Sequence, residues 1–345
     1  MPACFGGHLL YRGEFMQFLK YLGGRLVSWV ITIYVGVTFM FFIPRLFPAD
    51  PVEAMIQQML STVALTPHEI DSIRQTLYIQ FGLYGTLWEQ YVGFLRNVMR
   101  LDFGPSLMAF PRPASEIVIE RLPYSVGLSL FVLIIAWTIG NLIGMFAGFR
   151  KDGKFAKILE WTAIVMYPIP FFIMALCFQI LFSFILGWFP ITAVIITHAG
   201  PAEFWSSLIR AAILPASSML LVSFGWWIIS MKAIAQNTAE EDFVRYARFR
   251  GISEWEIGTK YVFKNSILPQ VSAFSIAIGG IFGGTLFVEM IFQFPGVGML
   301  AMNAIQRADY NLIMATATIS IFAVSTATLI ADLMYPFIDP RIRYR

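Results

Sequence analysis

The stretch SVGLSLFVLIIAWTIGNLIGMFAGF, residues Ser125–Phe149, decides the fold. It holds no charged side chain over 25 residues. A helix rises about 1.5 Å per residue, and the hydrocarbon core of a bilayer is about 30 Å thick, so roughly 20 apolar residues suffice to cross it. Within the stretch, Gly140, Gly144 and Gly148 recur every fourth residue on one helical face. In lipid, small residues at that spacing let two helix backbones approach closely. The spacing fits both a static packing seam and a contact that slides.

Working outward, five more stretches have no charge in their middles: Leu26–Ile43, Trp161–Leu186, Ala211–Ser230, Val271–Phe287 and Leu312–Leu333. Pro168 and Pro170 in the third of the six, and Pro215 in the fourth, predict kinks. The first apolar run is longer than the about 7–15 residues of a signal peptide, and no small-x-small site follows it, so an uncleaved first helix is expected. Composition agrees. Of 345 residues, 58% are hydrophobic and 13% charged, against about 45–50% and about 25% in soluble domains. Mean hydropathy is +0.70. A soluble enzyme, a nucleic-acid binder and a disordered chain are excluded, and lipid is the expected solvent. A net charge of +3 implies no polyanionic partner. Cys4 and Cys177, with His8, His68 and His198, are too scattered for a disulfide framework or a metal site.

Lysine and arginine placement sets the expected orientation. With the N-terminus inside, 16 of the 24 basic residues fall on cytoplasmic pieces, and the short outer loops carry only Arg210 and Arg307. Both termini are therefore expected in the cytoplasm. The expected organisation is an N-terminal tail and first transmembrane helix (1–43), an extracytoplasmic segment (44–124), and a five-helix transmembrane core (125–345) whose long cytoplasmic loop is 231–270. Within the outer segment, Thr66-Pro67-x-Glu69 reads as a helix start. Trp88, Tyr91, Leu95 and Val98 form an apolar stripe that suits an interfacial helix resting on headgroups.

The span centres lack ionisable residues; Asn141 and Gln179 are their notable polar groups, and Glu160, Glu289 and Asp332 sit at span ends. Proton- or ion-coupled carriers place titratable groups at mid-membrane, so an ion-gradient-driven carrier or channel is disfavoured. No phosphate-cradling Gly-x4-Gly-Lys-Ser/Thr loop occurs, and no Gly-x-Ser-x-Gly or His-Glu-x-x-His motif suggests a membrane hydrolase. The chain reads as a conduit without its own engine and not as an enzyme.

The cytoplasmic loop is the informative piece. Thr238 with Glu241 reads as a capping box, Glu240-Glu241-Asp242 places negative charge in a first helical turn, and Gly251 is the expected stop. On that helix Phe243 and Ala247 share a face, as do Val244, Ala247 and Arg248. Ser253 with Glu256 starts a second helix, expected to run to Pro269. Such a helix–glycine–helix unit suits either a membrane-surface helix or a docking element pushed by a cytoplasmic partner.

The run Asp242-Phe243-Val244-Arg245-Tyr246-Ala247-Arg248-Phe249-Arg250-Gly251, with Asn265 and Leu268-Pro269 after it, resembles the cytoplasmic-loop motif of ABC importer permeases of the dipeptide/oligopeptide type. Arg245 stands where the broader importer motif has glutamate. Further segments follow the same family in order: Pro48-Ala49-Asp50-Pro51 (Ala49 where glycine is usual), Leu65-Thr66-Pro67, Leu101-Asp102-Phe103-Gly104, Arg121-Leu122-Pro123, Glu289 with Phe294-Pro295-Gly296-Val297-Gly298, Asp309-Tyr310, and the terminal DLMYPFIDPRIRYR. The resemblance implies an all-α membrane protein with six transmembrane helices, of the type I ABC importer permease kind. It implies a homologous permease subunit, two ABC ATPase subunits that bind ATP and Mg, and an extracytoplasmic substrate-binding protein as partners. This chain would hold no cofactor itself, and its place would be a bacterial or archaeal plasma (inner) membrane. It further implies that Glu241, Asp242, Phe243, Tyr246, Ala247, Arg248, Gly251 and Ser253 couple to the ATPase. Gly279, Gly283 and Glu289 are the gate or pathway candidates. Peptides are the expected cargo, with oligosaccharides as the alternative because 16% aromatic residues suit sugar stacking; members of the family also carry nickel chelates.

Overall fold

Apolar runs this long satisfy their backbone internally, as lipid demands, by forming helices. The computed structural model describes residues 5–46, 50–61, 66–149, 154–196, 200–280 and 285–338. Among them there is no strand, and one isolated β-bridge joins Pro105 to Pro113. Four unbroken helices are long and apolar enough to cross a membrane, over Lys20–Ile43, Ala114–Phe149, Pro201–Ala239 and Tyr310–Met334. Two bent pairs, Ala156–Met166 with Phe171–Ile185 and Thr285–Phe292 with Val297–Gln306, raise the number to as many as six.

The chain falls into two compact units. One is built from residues within 1–29, 126–294 and 326–345. It contains most of α5 (Ala114–Phe149), α6 (Lys154–Met166) and α7 (Phe171–Phe178), the last prolonged by a π-helical stretch Gln179–Ile185. It also holds α8 (Pro201–Ala239), α9 (Asp242–Phe249), α10 (Glu254–Glu256), a second π-helical stretch Ile257–Phe263, α11 (Lys264–Gly279) and α12 (Thr285–Phe292). The glycine row of α5 packs on α8. A Cβ on Gly140 would lie 2.5 Å from Trp227 Cβ, one on Gly144 2.6 Å from Ile228 O, and one on Gly148 2.7 Å from Lys232 O. Only glycine permits that approach over three consecutive turns.

The kink expected in the third span is present, and other expectations about the spans change. The third breaks by 103° between α6 and α7, at the Pro168 and Pro170 positions. Pro215 lies inside the continuous helix α8, and its carbonyl accepts from Ser218 Oγ at 2.8 Å. Helix α8 runs nine residues past the expected end at Ser230, to Ala239. The fifth span is not one helix over 271–287. Helix α11 ends at Gly279 and α12 begins at Thr285, while Gly283 and Gly284 lie outside the described residues. Glu289, expected at a span end, is wholly buried inside α12.

The second unit comprises residues within 30–125 and 295–325. It includes α2 (Pro51–Leu60), α3 (Pro67–Gln80), α4 (Leu87–Val98) and α13 (Val297–Gln306), with parts of α1 (Phe5–Arg45) and α14 (Tyr310–Ile338). Here the motif residues are mostly caps. Asp50 caps α2, accepting from Val52 N at 2.9 Å, and also accepts from the Tyr78 hydroxyl, which pushes the Tyr78 pKa up to about 12. Capping boxes pair Thr66 with Glu69 and Thr86 with Glu89. Buried Asp309 accepts from Ser106 Oγ at 2.6 Å, Met108 N at 3.0 Å and Leu312 N at 3.1 Å, starting α14 while pinning the 105–108 turn. The stripe of α4 is a core face and does not rest on headgroups. Tyr91 and Val98 are buried with Phe41, Phe94 and Leu312, Leu95 packs against them, and Trp88 stays exposed. The periodicity was sound; apolar partners within the chain, rather than lipid, cover it. Pro48, Ala49, Leu65 and residues 339–345 of the terminal motif lie outside the described residues.

Candidate functional site

The segment after α8 is short and polar at its start. Thr238 does not begin a new helix, because α8 continues to Ala239; its Oγ1 instead lies 3.1 Å from Ser266 Oγ. The expected capping box is therefore absent, and Glu241 becomes the N-cap of α9 with no side-chain cap bond. Asp242 and Arg248 sit at the first and last turns, where the helix dipole favours their charges. Gly251 has φ +75°, the left-handed conformation that glycine tolerates best, and its N–H donates to Arg248 O at 2.9 Å. Ser253 Oγ then accepts from Glu256 N at 3.3 Å, and Arg248 Nε meets Glu254 Oε1 at 3.1 Å across the turn.

Helix α9 divides cleanly into two faces. Val244 and Ala247 are buried with Ala235 and Ala239 of α8 and with Ile257 and Val262 of the second π-helical stretch, and Met145 and Phe149 of α5 pack around them. Gly258 admits the Phe149 ring, whose Cε1 would lie 3.2 Å from a Cβ there. On the other side, Phe243, Tyr246 and Phe249 recur at i, i+3 and i+6, exposed by 41%, 69% and 85%, with Trp255 of α10 exposed by 80%. Phe243 and Ala247, expected to share a face, are thus separated into exposed and buried groups. Large aromatics left open beside Arg245 and Arg250 make a surface suited to protein docking, where aromatics and arginine supply most hot spots.

The eight expected coupling residues therefore come together in one unit of structure: Phe243 and Tyr246 face outward, Ala247 anchors, Asp242 pairs with Arg245 at 3.6 Å, and Glu241, Arg248, Gly251 and Ser253 shape the two ends. Sequence reasoning missed Phe249 and Trp255. The three-residue spacing of Phe243, Tyr246 and Phe249, opposite Val244 and Ala247, was the available signal for the first. Helical structure then continues from Glu254 through Pro269 to Gly279, so Pro269 does not end the second helix.

A layer of polar side chains couples α11 to its neighbours. Trp137 Nε1 donates to Gln270 O at 3.1 Å, Gln270 Nε2 donates to Ser230 Oγ at 2.8 Å, and Asn141 Nδ2 donates to Trp137 O at 2.7 Å. Lys232 of α8 pairs with Glu160 of α6. Gly279 lies at the far end of α11, which at about 1.5 Å per residue is ~24 Å long; a Cβ there would meet Thr328 Oγ1 of α14 at 2.6 Å. Neither Gly279 nor Glu289 belongs to the α9 cluster, and Gly283 is outside the described residues. No group of three or more His, Cys, Asp or Glu able to hold a metal occurs among the described residues.

The family described as binding-protein-dependent transport system inner membrane component matches residues 140–344. The chain is similar to the oligopeptide transport system permease protein AppB of Bacillus subtilis, at 30% identity covering 91% of this chain and 96% of that protein. It is also similar to the dipeptide transport system permease protein DppB of Lactococcus lactis, at 25% identity over 94% of this chain and 99% of the relative. A putative peptide permease of Brucella suis is 30% identical over 94% and 99%.

Proposed function

Because the chain belongs to the family of binding-protein-dependent transport system inner membrane components, we propose that it forms part of the translocation pathway of an ATP-driven peptide importer. It works with a homologous permease, two ABC ATPase subunits that bind ATP and Mg, and an external binding protein, in a bacterial inner membrane. The observation that carries this reading is the division of α9: one face is anchored by Val244 and Ala247, the other presents Phe243, Tyr246 and Phe249. A helix so built transmits displacement, because its buried face cannot slip without opening a packed core. The aromatic face docks on an ATPase subunit. Closure of the ATPases on ATP shifts α9, and the turn at Gly251 passes that shift into the helix ending at Gly279. Gly279 and Glu289 lie in the part of the pathway that then changes access. Residues 44–124 face outward, toward the binding protein.

The peptide cargo is supported by the oligopeptide and dipeptide transport for which the similar proteins AppB and DppB are named. The first experiment is a mild-detergent pull-down of the tagged chain with mass spectrometry, followed by reconstitution with the recovered subunits. A second permease and ATPases carrying phosphate-binding loops are expected, with ATP-dependent peptide uptake once the binding protein is added. Recovery of the chain alone, active by itself on reconstitution, would overturn the proposal in favour of a gradient-driven carrier.

A further inference from the structure

Arg45 closes α1 and folds back on its own helix. Its Nη1 donates to Phe41 O at 2.8 Å, its Nε donates to Gln90 Oε1 at 3.3 Å, and the guanidinium lies 3.6 Å from the Phe41 ring centroid. Among the described residues no carboxylate pairs with it, and Nη2 has no acceptor. Burial holds its pKa down to about 10, against a smaller opposing contribution from the nearby Tyr310 hydroxyl. Beside it opens a cavity of about 240 Å³.

The charges around this recess decide what it accepts. Besides Arg45, its lining includes Gln90, Asn97, Glu89 and Asp102. Glu89 gives one oxygen, Oε2, to the Thr86 amide and hydroxyl, and those bonds lower its pKa and keep it anionic. Asp102 gives Oδ1 to Gly104 N at 3.0 Å. Among the described residues, each keeps its second oxygen uncommitted. A simple anion entering the recess meets two carboxylates of its own sign. A ligand carrying both charges meets an opposite charge for each.

We propose that this recess binds a small zwitterion, its anionic group on the free Nη2 edge of Arg45 beside Asn97 and its ammonium toward Glu89 and Asp102. Two sources carry that chemistry, a free amino acid or dipeptide and the headgroup of an aminophospholipid. The free-peptide source rests on the peptide-import reading given above.

The test uses the permease purified with its partner subunits, without the binding protein, in nanodiscs of phosphatidylglycerol with or without phosphatidylethanolamine. The probes are radiolabelled dialanine and its C-terminal amide. Saturable dialanine binding is expected in discs of phosphatidylglycerol alone, weakened at least tenfold by Arg45→Gln, by Asn97→Asp and by amidation. Asn97 is exposed and its side chain makes no hydrogen bond among the described residues, so Asn97→Asp changes the charge of the recess while removing no side-chain contact of that kind. If dialanine fails to bind but native mass spectrometry finds phosphatidylethanolamine retained by the parent chain and lost from both variants, the occupant is the headgroup. If neither ligand distinguishes the parent from both variants, the proposal is overturned. Peptide uptake by the full complex is measured separately: uptake absent while dialanine binding persists strikes the import reading and leaves the recess assigned.

Discussion

Replacing Tyr246 and Phe249 together by alanine separates docking from folding. An aromatic side chain buries about 200 Å² when fully covered. With 69% and 85% of these two exposed, about 300 Å² awaits a partner. At ~25 cal/mol per Å² the gross gain is about 8 kcal/mol. Side-chain ordering and association costs reduce the net loss on truncation to about 2–4 kcal/mol, roughly 30- to 900-fold in affinity. Neither ring is buried within the chain, so the thermal stability of the permease alone should change by no more than about 0.5 kcal/mol. The assay is titration of the detergent-solubilised permease pair with its ATPase subunits, followed by bio-layer interferometry, with thermal unfolding of the permease as control. Unchanged ATPase affinity in a stably folded double variant would refute the assignment of α9 as the docking element.

Gly251→Pro imposes φ near −65° where the chain needs +75° and removes the bond to Arg248 O, so ATP hydrolysis should persist while peptide uptake falls at least tenfold; uptake equal to the parent's counts against force passing through this turn. Gly144→Leu places atoms inside the Ile228 carbonyl contact on α8 and should cost about 3 kcal/mol, read as a lowered unfolding midpoint in detergent. Asp309→Ala leaves the Ser106 hydroxyl and the Met108 amide without their acceptor and should cost roughly 3 kcal/mol by the same measurement, against little effect from exposed Asp71→Ala. Hydrogen bonds from Thr66 and Thr86 depress the pKa of Glu69 and Glu89 below the ordinary 4.5. Their contribution is present above that value and is lost as pH falls through the lowered folded-state pKa. Carboxyl NMR titrations should place both midpoints below 4.5, and a midpoint at or above 4.5 in either would remove that capping box from the account.

Membrane class, helical content and the family motifs were legible in the sequence because each rests on short-range chemistry. Uncharged runs of bilayer length need no tertiary information to be read. Gly251 is a helix stop through its own backbone freedom, and Thr66-Pro67-x-Glu69 caps a helix within four residues. The Pro168-Ile169-Pro170 break follows from proline's missing amide and fixed φ. The misread elements were those where a distant neighbour arbitrates between locally equal choices. Thr238 has a capping residue's side chain, yet packing of Ala235 and Ala239 against Val244 and Ala247 holds α8 together past it. The α4 stripe has the period of an interfacial helix, yet Phe41 and Leu312, far away in sequence, cover it.

The sequence by itself determined that this chain lives in lipid, which segments are helical, and where the α9 motif lies, since hydropathy and capping act within a few turns. Tertiary structure decided which face of α9 is anchored and which is open, why the α5 glycines are required, and that Arg45 lines a recess with no ion-pair partner among the described residues. Those outcomes depend on which residues, remote along the chain, exclude solvent from one another, and burial of that kind has no local signature.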